Sequence, residues 1–219
     1  MLPTLDARLA AAAELVRPGE PVADIGCDHG KLTAVLAASG KYPKVIGADL
    51  RPGPLAKAEQ TLEHAGCKDR AELRLGDGLS VLTESEVGSI VLAGVSAQTT
   101  WEILEKAPWV FTVGGPRIIM IPATRHDALR RWLWEHGFSF AADRPVQAAG
   151  RWYAVKRYTY FYFRLLFRRQ SLAHINHNQV AISCILLFQC RNLHYLHIVV
   201  DQIFTCHTPD KGIVAGTCC

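Results

Sequence analysis

The sequence lacks any apolar stretch long enough to cross a membrane, and no positively charged leader with a cleavage site opens it. Its seven cysteines are an odd number, which argues against a framework of disulfide bonds. It also lacks a strong charge of either sign, since its net charge of +4 is compatible with a nucleic-acid partner without indicating one. These features predict a cytoplasmic protein.

Glutamate is absent after residue 160, whereas residues 1–160 contain ten. This abrupt change in composition predicts two parts, a folded domain over residues 1–160 and a C-terminal extension over residues 161–219. The extension is interpreted in three ways: a small domain of its own, a metal module, or a disordered or frame-shifted tail. We favour the last, because consistent helix or strand patterning is missing there. The module would use Cys184, Cys190, His194 and His197, whose spacings miss the usual zinc patterns, so no metal is predicted.

Short apolar stretches alternate with segments of helical periodicity up to residue 160. The predicted parallel strands are residues 21–26, 44–50, 72–75, 89–93 and 117–121. The predicted helices between and around them are residues 5–16, 31–39, 55–65, 98–106 and 127–135. Residues 138–143 and 152–160 are predicted to close the sheet as an antiparallel pair. This order is typical of an α/β protein with a doubly wound, mostly parallel Rossmann-like sheet.

The segment after the first predicted strand carries glycines and carboxylates in alternation: Asp24, Gly26, Asp28 and Gly30. Dinucleotide-binding loops carry a glycine where Asp28 stands. Two carboxylates beside a helix N-terminus would repel a pyrophosphate, but they suit the positively charged S-adenosylmethionine. The alternative is that Asp24 and Asp28 only cap the following helix.

A third carboxylate, Asp49, ends the second predicted strand 19 positions after Gly30. An acidic residue at about this spacing commonly accepts hydrogen bonds from ribose hydroxyls. We therefore expect Asp49, with the neighbouring Leu50, to contact the cofactor. The alternative is an ordinary, solvated aspartate at a strand end.

These motifs resemble those of the bacterial tRNA (adenine(22)-N1)-methyltransferase family over about residues 5–158. The resemblance lies in Asp-Ile-Gly-Cys-Asp-His-Gly at 24–30, Ala-Asp-Leu-Arg-Pro-Gly-Pro-Leu at 48–55, Arg-Leu-Gly-Asp-Gly-Leu at 74–79, Ile-Leu at 103–104, and Leu-Arg-Arg-Trp-Leu at 129–133 with Gly-Phe at 137–138. It implies a class I methyltransferase fold, S-adenosylmethionine as cofactor and tRNA as substrate. It also implies that Asp77 and Gly78 hold the adenine edge of the cofactor. Gly94 is expected to be a further cofactor-binding residue.

Two departures from the family pattern stand out. The resemblance implies Gly-Met-Gly-Gly after the fourth strand, where this chain has Gly94-Val95-Ser96-Ala97. The added side chains leave open a different substrate or an inactive cofactor-binding protein. The family also implies a C-terminal coiled-coil domain, but no sustained heptad pattern follows residue 160.

The proposed chemistry needs no strong base, because adenine N1 carries a free lone pair at neutral pH. We expect Asp28 to stabilise the cationic product and His29 to orient the base or to shape the cofactor pocket. Both could instead stabilise the loop through hydrogen bonds. Three aromatic residues could stack on a flipped-out base, although packing in the core is favoured. They are Tyr42, Trp101 and Trp109.

A run of arginines along one predicted helix is the candidate RNA contact. Arg125, Arg130 and Arg131 could follow phosphates, with further basic residues nearby at 144, 151, 156 and 157. The alternative is a solvated helix face. Residues 1–160 carry 19 Lys and Arg against 18 Asp and Glu, so the RNA assignment depends on the family resemblance. The oligomeric state stays open.

Overall fold

A seven-stranded sheet forms the centre of the computed structural model, which describes residues 1–161. The strand order is β3-β2-β1-β4-β5-β7-β6, in which the first five positions are parallel and β7 runs antiparallel to both its neighbours. The strands are β1 (Val22–Ile25), β2 (Val45–Asp49), β3 (Ala71–Leu75), β4 (Ser89–Ala93), β5 (Arg117–Ile121), β6 (Phe138–Ala148) and β7 (Arg151–Tyr160). The predicted fold class is confirmed.

Within residues 1–161, one α-helix precedes the first strand and four lie between strands. They are α1 (Ala7–Leu15), α2 (Lys31–Ala38), α3 (Pro52–Ala65), α4 (Ala97–Glu105) and α5 (His126–Glu135). Helix α3 begins three residues before the predicted start at residue 55, because Pro52 occupies its first turn. A proline fits there, since its fixed φ suits a helix and its missing N–H is not needed in the first turn.

Two apolar layers cover the two faces of the sheet. Strand β5 divides its side chains between them: Ile118 and Met120 face one layer, and Ile119 and Ile121 face the other. The sheet is therefore buried on both faces, as expected for parallel strands with helices on each side. The carboxyl ends of β1, β2, β3 and β4 meet at one edge of this sheet, where α/β proteins commonly bind ligands.

The closing pair of strands is longer than predicted. Strand β6 continues to Ala148 rather than ending near residue 143, and its register with β7 shifts between Phe140 and Ala142. Pro145 is tolerated because β6 is an edge strand. Ala149 and Gly150, both with positive φ, form the two-residue turn that suits a twisted hairpin.

The predicted extension over residues 161–219 lies, apart from Phe161, outside the described residues, and so does the proposed cysteine and histidine cluster. The division of the chain at residue 160 stays a prediction. Across the described part of the chain, no helix is long and apolar enough to span a membrane.

Candidate active site

The loop between β1 and α2 is held in a tight conformation by three residues with positive φ. Gly26, Asp28 and Gly30 have φ values of 75°, 50° and 68°. At Gly30 a β-carbon would lie only 2.7 Å from Cβ of Ala58 on α3, so glycine is required for packing as well as for its backbone conformation. The backbone N–H groups of Gly26 and Cys27 both donate to the carbonyl of Ala48, which fixes the loop against the end of β2.

Asp24 lies beneath this loop and is only 3% exposed. Its Oδ2 accepts a 2.8 Å hydrogen bond from the hydroxyl of Thr33 in the first turn of α2. Burial raises the pKa of the Asp24 carboxyl to about 6, although the hydrogen bonds from Thr33 lower it. The capping alternative therefore describes part of its role, even though the N-cap residue itself is Gly30, which offers no side chain.

Asp49 connects the end of β2 to the loop between β1 and α2, residues 26–30, which we call the glycine loop. Its Oδ2 accepts the backbone N–H of Asp28 at 3.2 Å, and its Oδ1 accepts the backbone N–H of Arg51 at 3.0 Å. The side chain is buried, so the alternative of a solvated strand-end aspartate is wrong. Each carboxylate oxygen keeps a second lone pair, with which it could accept a further hydrogen bond from a ligand.

Asp28 and His29 point away from the packed interior. Their side chains are 61% and 45% exposed, and His29 Nδ1 lies 3.5 Å from Asp28 Oδ2. The left-handed backbone at Asp28 turns its carboxylate outward while its own N–H is held by Asp49. This pair is therefore open to a substrate, in contrast to the buried Asp24.

A cavity of about 260 Å³ opens beside the loop. The predicted residues that line it are Asp24, Gly26, Asp28, His29 and Gly94. Asp6, Arg8 and Leu9 at the start of α1 also line it, and the sequence prediction missed them. An N-cap signal was present at Asp6, but nothing local in the sequence places α1 beside the end of β1.

Five predicted cofactor residues do not line this cavity: Gly30 is the N-cap of α2, and Asp49, Leu50, Asp77 and Gly78 lie at or just after the ends of β2 and β3. Leu50 is 63% exposed there, and Leu75 is similarly uncovered, so two apolar side chains stand free beside Asp49. The Asp77 carboxylate forms a 2.7 Å ion pair with Lys106 at the end of α4. Gly78 allows close packing, because a β-carbon would lie 2.9 Å from Ile103.

The segment that departs from the family pattern forms an orderly start to α4. Gly94 has a φ of 76°, and the hydroxyl of Ser96 caps the helix by accepting the N–H of Thr99 at 3.1 Å. Ala97 is fully buried in the core. Val95 lies close to the glycine loop, with its Cγ2 3.8 Å from a β-carbon built on Gly26. The substitutions thus keep the helix and add a branched apolar side chain at the site.

The three aromatic candidates for base stacking pack within the fold. Trp101 stacks on Trp132 with ring centroids 6.5 Å apart, and Trp109 packs against the same core. Tyr42 packs against the opposite layer. The favoured interpretation, core packing, is confirmed for all three.

Arg125, Arg130 and Arg131 are exposed on α5, where Arg125 is the N-cap in a left-handed conformation. Of the further basic residues, Lys156 is held by a 2.7 Å ion pair with Asp143, and Arg157 is half-buried. The role of the α5 arginines in RNA contact stays a prediction. Within residues 1–161, no group of three or more His, Cys, Asp or Glu could hold a metal ion.

This chain combines a doubly wound sheet with a glycine loop and with carboxylates at the strand ends. These features place it in the class of Rossmann-like methyltransferase folds. The chain belongs to the family described as the methyltransferase domain, whose model matches residues 5–155. This assignment agrees with the described domain, since the match covers β1 to β6 and half of β7.

Known relatives confirm the resemblance seen in the sequence. The chain is 29% identical over 151 residues to the Bacillus subtilis tRNA (adenine(22)-N(1))-methyltransferase, covering 69% of this chain but only 63% of that protein. The crystal structure of the B. subtilis m1A22 tRNA methyltransferase TrmK superposes with a TM-score of 0.68 at 26% identity, covering 79% of this chain and 73% of that one. Streptococcus pneumoniae Sp1610, solved in complex with S-adenosyl-L-methionine, gives a TM-score of 0.67 at 29% identity, covering 72% and 74%.

Proposed function

We propose that this chain is an S-adenosylmethionine-dependent methyltransferase that methylates N1 of adenine 22 in tRNA in the cytoplasm. The observation that carries the proposal is the match to the methyltransferase domain over residues 5–155, with three carboxylates gathered around its glycine loop. The specific substrate is taken from the B. subtilis relative, of which the chain spans 63%.

The residues present fit this cofactor better than a phosphate-bearing one. Asp24 and Asp28 line the cavity beside the loop, where they favour positive charge and oppose a pyrophosphate. Asp49 retains acceptor capacity for ribose hydroxyls, and Leu50 offers an uncovered apolar surface to an adenine ring. Asp77 can accept from an exocyclic amine, in competition with Lys106. When bound, S-adenosylmethionine supplies a methyl group on a positively charged sulfur.

The side chains proposed for catalysis are the two exposed ones. Adenine N1 attacks through its own lone pair, so no residue has to remove a proton from it. Asp28 would stabilise the positive charge that develops on the methylated base, and His29 would orient that base. The buried Asp24 would act on cofactor binding, because its carboxylate is held by Thr33 beneath the loop.

The α5 arginines would contact the tRNA backbone. All three are exposed, and arginine binds phosphate through several N–H groups at once. We expect the affinity of the chain for tRNA to fall with rising salt concentration, since phosphate contacts release counterions.

The decisive experiment measures transfer of labelled methyl groups by the full chain to two tRNAs, one with adenine and one with guanine at position 22. The proposal expects N1-methyladenosine only in the first. Asp28→Asn is expected to lower the rate by about tenfold or more. Asp69→Asn serves as the control and leaves the rate unchanged. Asp69 is exposed and precedes β3, so it lies at the amino end of that strand, away from the carboxyl ends that carry the site. Cofactor binding without transfer to either tRNA would contradict the proposed reaction.

A second candidate is a methyltransferase of the same fold that acts on another substrate. The observation that favours it is Val95, which adds a branched side chain close to the glycine loop where the family pattern has methionine and then two glycines. Replacing Val95, Ser96 and Ala97 by Met, Gly and Gly should raise activity on tRNA if these residues impair the site. No change in activity would favour the other substrate.

A further inference from the structure

An ion pair at the start of α1 borders the cavity beside the glycine loop. Arg8 Nη2 donates to Asp6 Oδ2 at 2.6 Å, and both residues line the cavity together with the loop. Neither residue belongs to the glycine loop or to the strand ends that the family motifs cover. The arrangement nevertheless places a guanidinium and a carboxylate side by side at the wall of the proposed cofactor site.

The guanidinium of Arg8 is held in place from two sides. Asp6 is itself fixed, because its Oδ1 caps α1 by accepting the backbone N–H groups of Arg8 and Leu9 at 2.9 and 3.1 Å. The guanidinium carbon also lies 4.8 Å from the centre of the Tyr153 ring on β7. Within residues 1–161, Nη1 of Arg8 donates no hydrogen bond, and the side chain is 32% exposed. A preorganised arginine with a free N–H edge is suited to bind a carboxylate.

We propose that Arg8 binds the α-carboxylate of the cofactor's amino-acid moiety, while Asp6 and Tyr153 position the guanidinium. This inference rests on the proposed function and adds a residue to its site. The charges of the cavity fit a zwitterion, since Arg8 offers positive charge on the α1 side and Asp24 and Asp28 offer negative charge on the loop side. The carboxylate then pairs with Arg8, and the ammonium faces the loop.

Lys31 is the competing cation, because it also lines the cavity at the first position of α2. It is exposed and carries a single flexible ammonium, whereas Arg8 presents a planar fork that is already oriented by Asp6 and Tyr153. Less conformational freedom is lost when the oriented group binds. The geometry therefore favours Arg8.

The test compares two ligands that differ only in the amino-acid moiety. S-adenosylhomocysteine and 5′-methylthioadenosine share the adenosine and a neutral thioether, but only the first has the α-carboxylate and ammonium. Calorimetry on the full chain should show that Arg8→Ala weakens S-adenosylhomocysteine binding by about 10- to 100-fold and leaves methylthioadenosine binding unchanged. Unchanged binding of methylthioadenosine also shows that the variant is folded. Arg17→Ala, which removes a surface ion pair with Glu20 just after α1, is the control and should alter neither affinity.

Several outcomes would overturn the inference. Equal losses for both ligands would show that Arg8 supports the fold rather than the carboxylate. No loss for either ligand, or a selective loss in Lys31→Ala and not in Arg8→Ala, would assign the carboxylate elsewhere. In these three cases the proposed function stands, because the unmodified chain binds both ligands. An unmodified chain that binds neither ligand would instead refute the proposed function, and this inference with it.

Discussion

Replacing Gly30 by alanine tests whether the glycine loop is packed as described. The new β-carbon would lie 2.7 Å from Cβ and 2.9 Å from Cα of Ala58, which is fully buried on α3. Gly40 provides a matched control, because its φ of 65° is nearly that of Gly30 (68°) and a β-carbon there meets nothing within 4 Å. Alanine in the left-handed region costs ~1 kcal/mol at either position. Overlap with α3 adds ~1–3 kcal/mol at Gly30 alone.

We therefore expect Gly40→Ala to lower the free energy of unfolding by ~1 kcal/mol and Gly30→Ala by ~2–4 kcal/mol. Urea unfolding of the full chain, followed by tryptophan fluorescence, measures both values under the same conditions. Cofactor affinity measured in parallel should fall for Gly30→Ala only, because the loop must shift to relieve the overlap. Equal destabilisation of the two variants would refute the close approach of the loop and α3.

Two further predictions concern pH. Burial raises the pKa of Asp24 from 3.8 to about 6, so the protonated side chain stabilises the fold. This contribution is complete below pH 3.8 and is lost as the pH rises through 6, where the buried carboxyl becomes charged. Asp24→Asn should therefore raise the free energy of unfolding by ~3 kcal/mol at pH 8 and by little at pH 4, as measured by urea unfolding at each pH. An equal effect at both pH values would contradict the burial of the charge. Glu86 accepts hydrogen bonds from Arg74 at 2.6 and 2.9 Å, which hold its pKa well below the ordinary value, so its contribution is present above pH 4.5 and lost as the pH falls below it. Glu86→Gln should lower the free energy of unfolding by ~2 kcal/mol at pH 7. Glu63→Gln, at the exposed pair with Lys68, should lower it much less, and thermal unfolding that ranks the two variants equally would contradict this.

The sequence was sufficient to predict the glycine loop and its carboxylates because their signals are local. Gly26 and Gly30 stand where the backbone needs positive φ, and Asp49 follows at the spacing typical of a second strand end. These positions depend only on one strand–loop–helix unit and its neighbour. The periodicity of the chain likewise predicted the parallel sheet.

The other features of the site depend on contacts between distant segments, which no local pattern in the sequence predicts. Asp24 accepts a hydrogen bond from Thr33, a residue that the sequence prediction did not include, and the burial of Asp24 raises the pKa of its carboxyl. Arg8 reaches the site only because α1 packs beside the closing hairpin, where it meets Tyr153. Strand β6 was predicted too short because Pro145 disfavours a strand unless that strand lies at the edge of the sheet, and the sequence does not specify the edge.

The hydrogen bonds of Asp49 have a consequence for how this position can change. Both of its oxygens accept backbone N–H groups, one from the loop and one from Arg51. An asparagine of the same size would oppose one of these N–H groups with its own NH₂, so the isosteric amide cannot replace the acid even in the absence of a ligand. A glutamate keeps both acceptors but is one methylene longer, which would displace the loop from the end of β2. The Asp49 carboxylate therefore holds the glycine loop and the segment after β2 together even when no ligand is bound. Either substitution would change the structure of the site as well as its affinity for the cofactor.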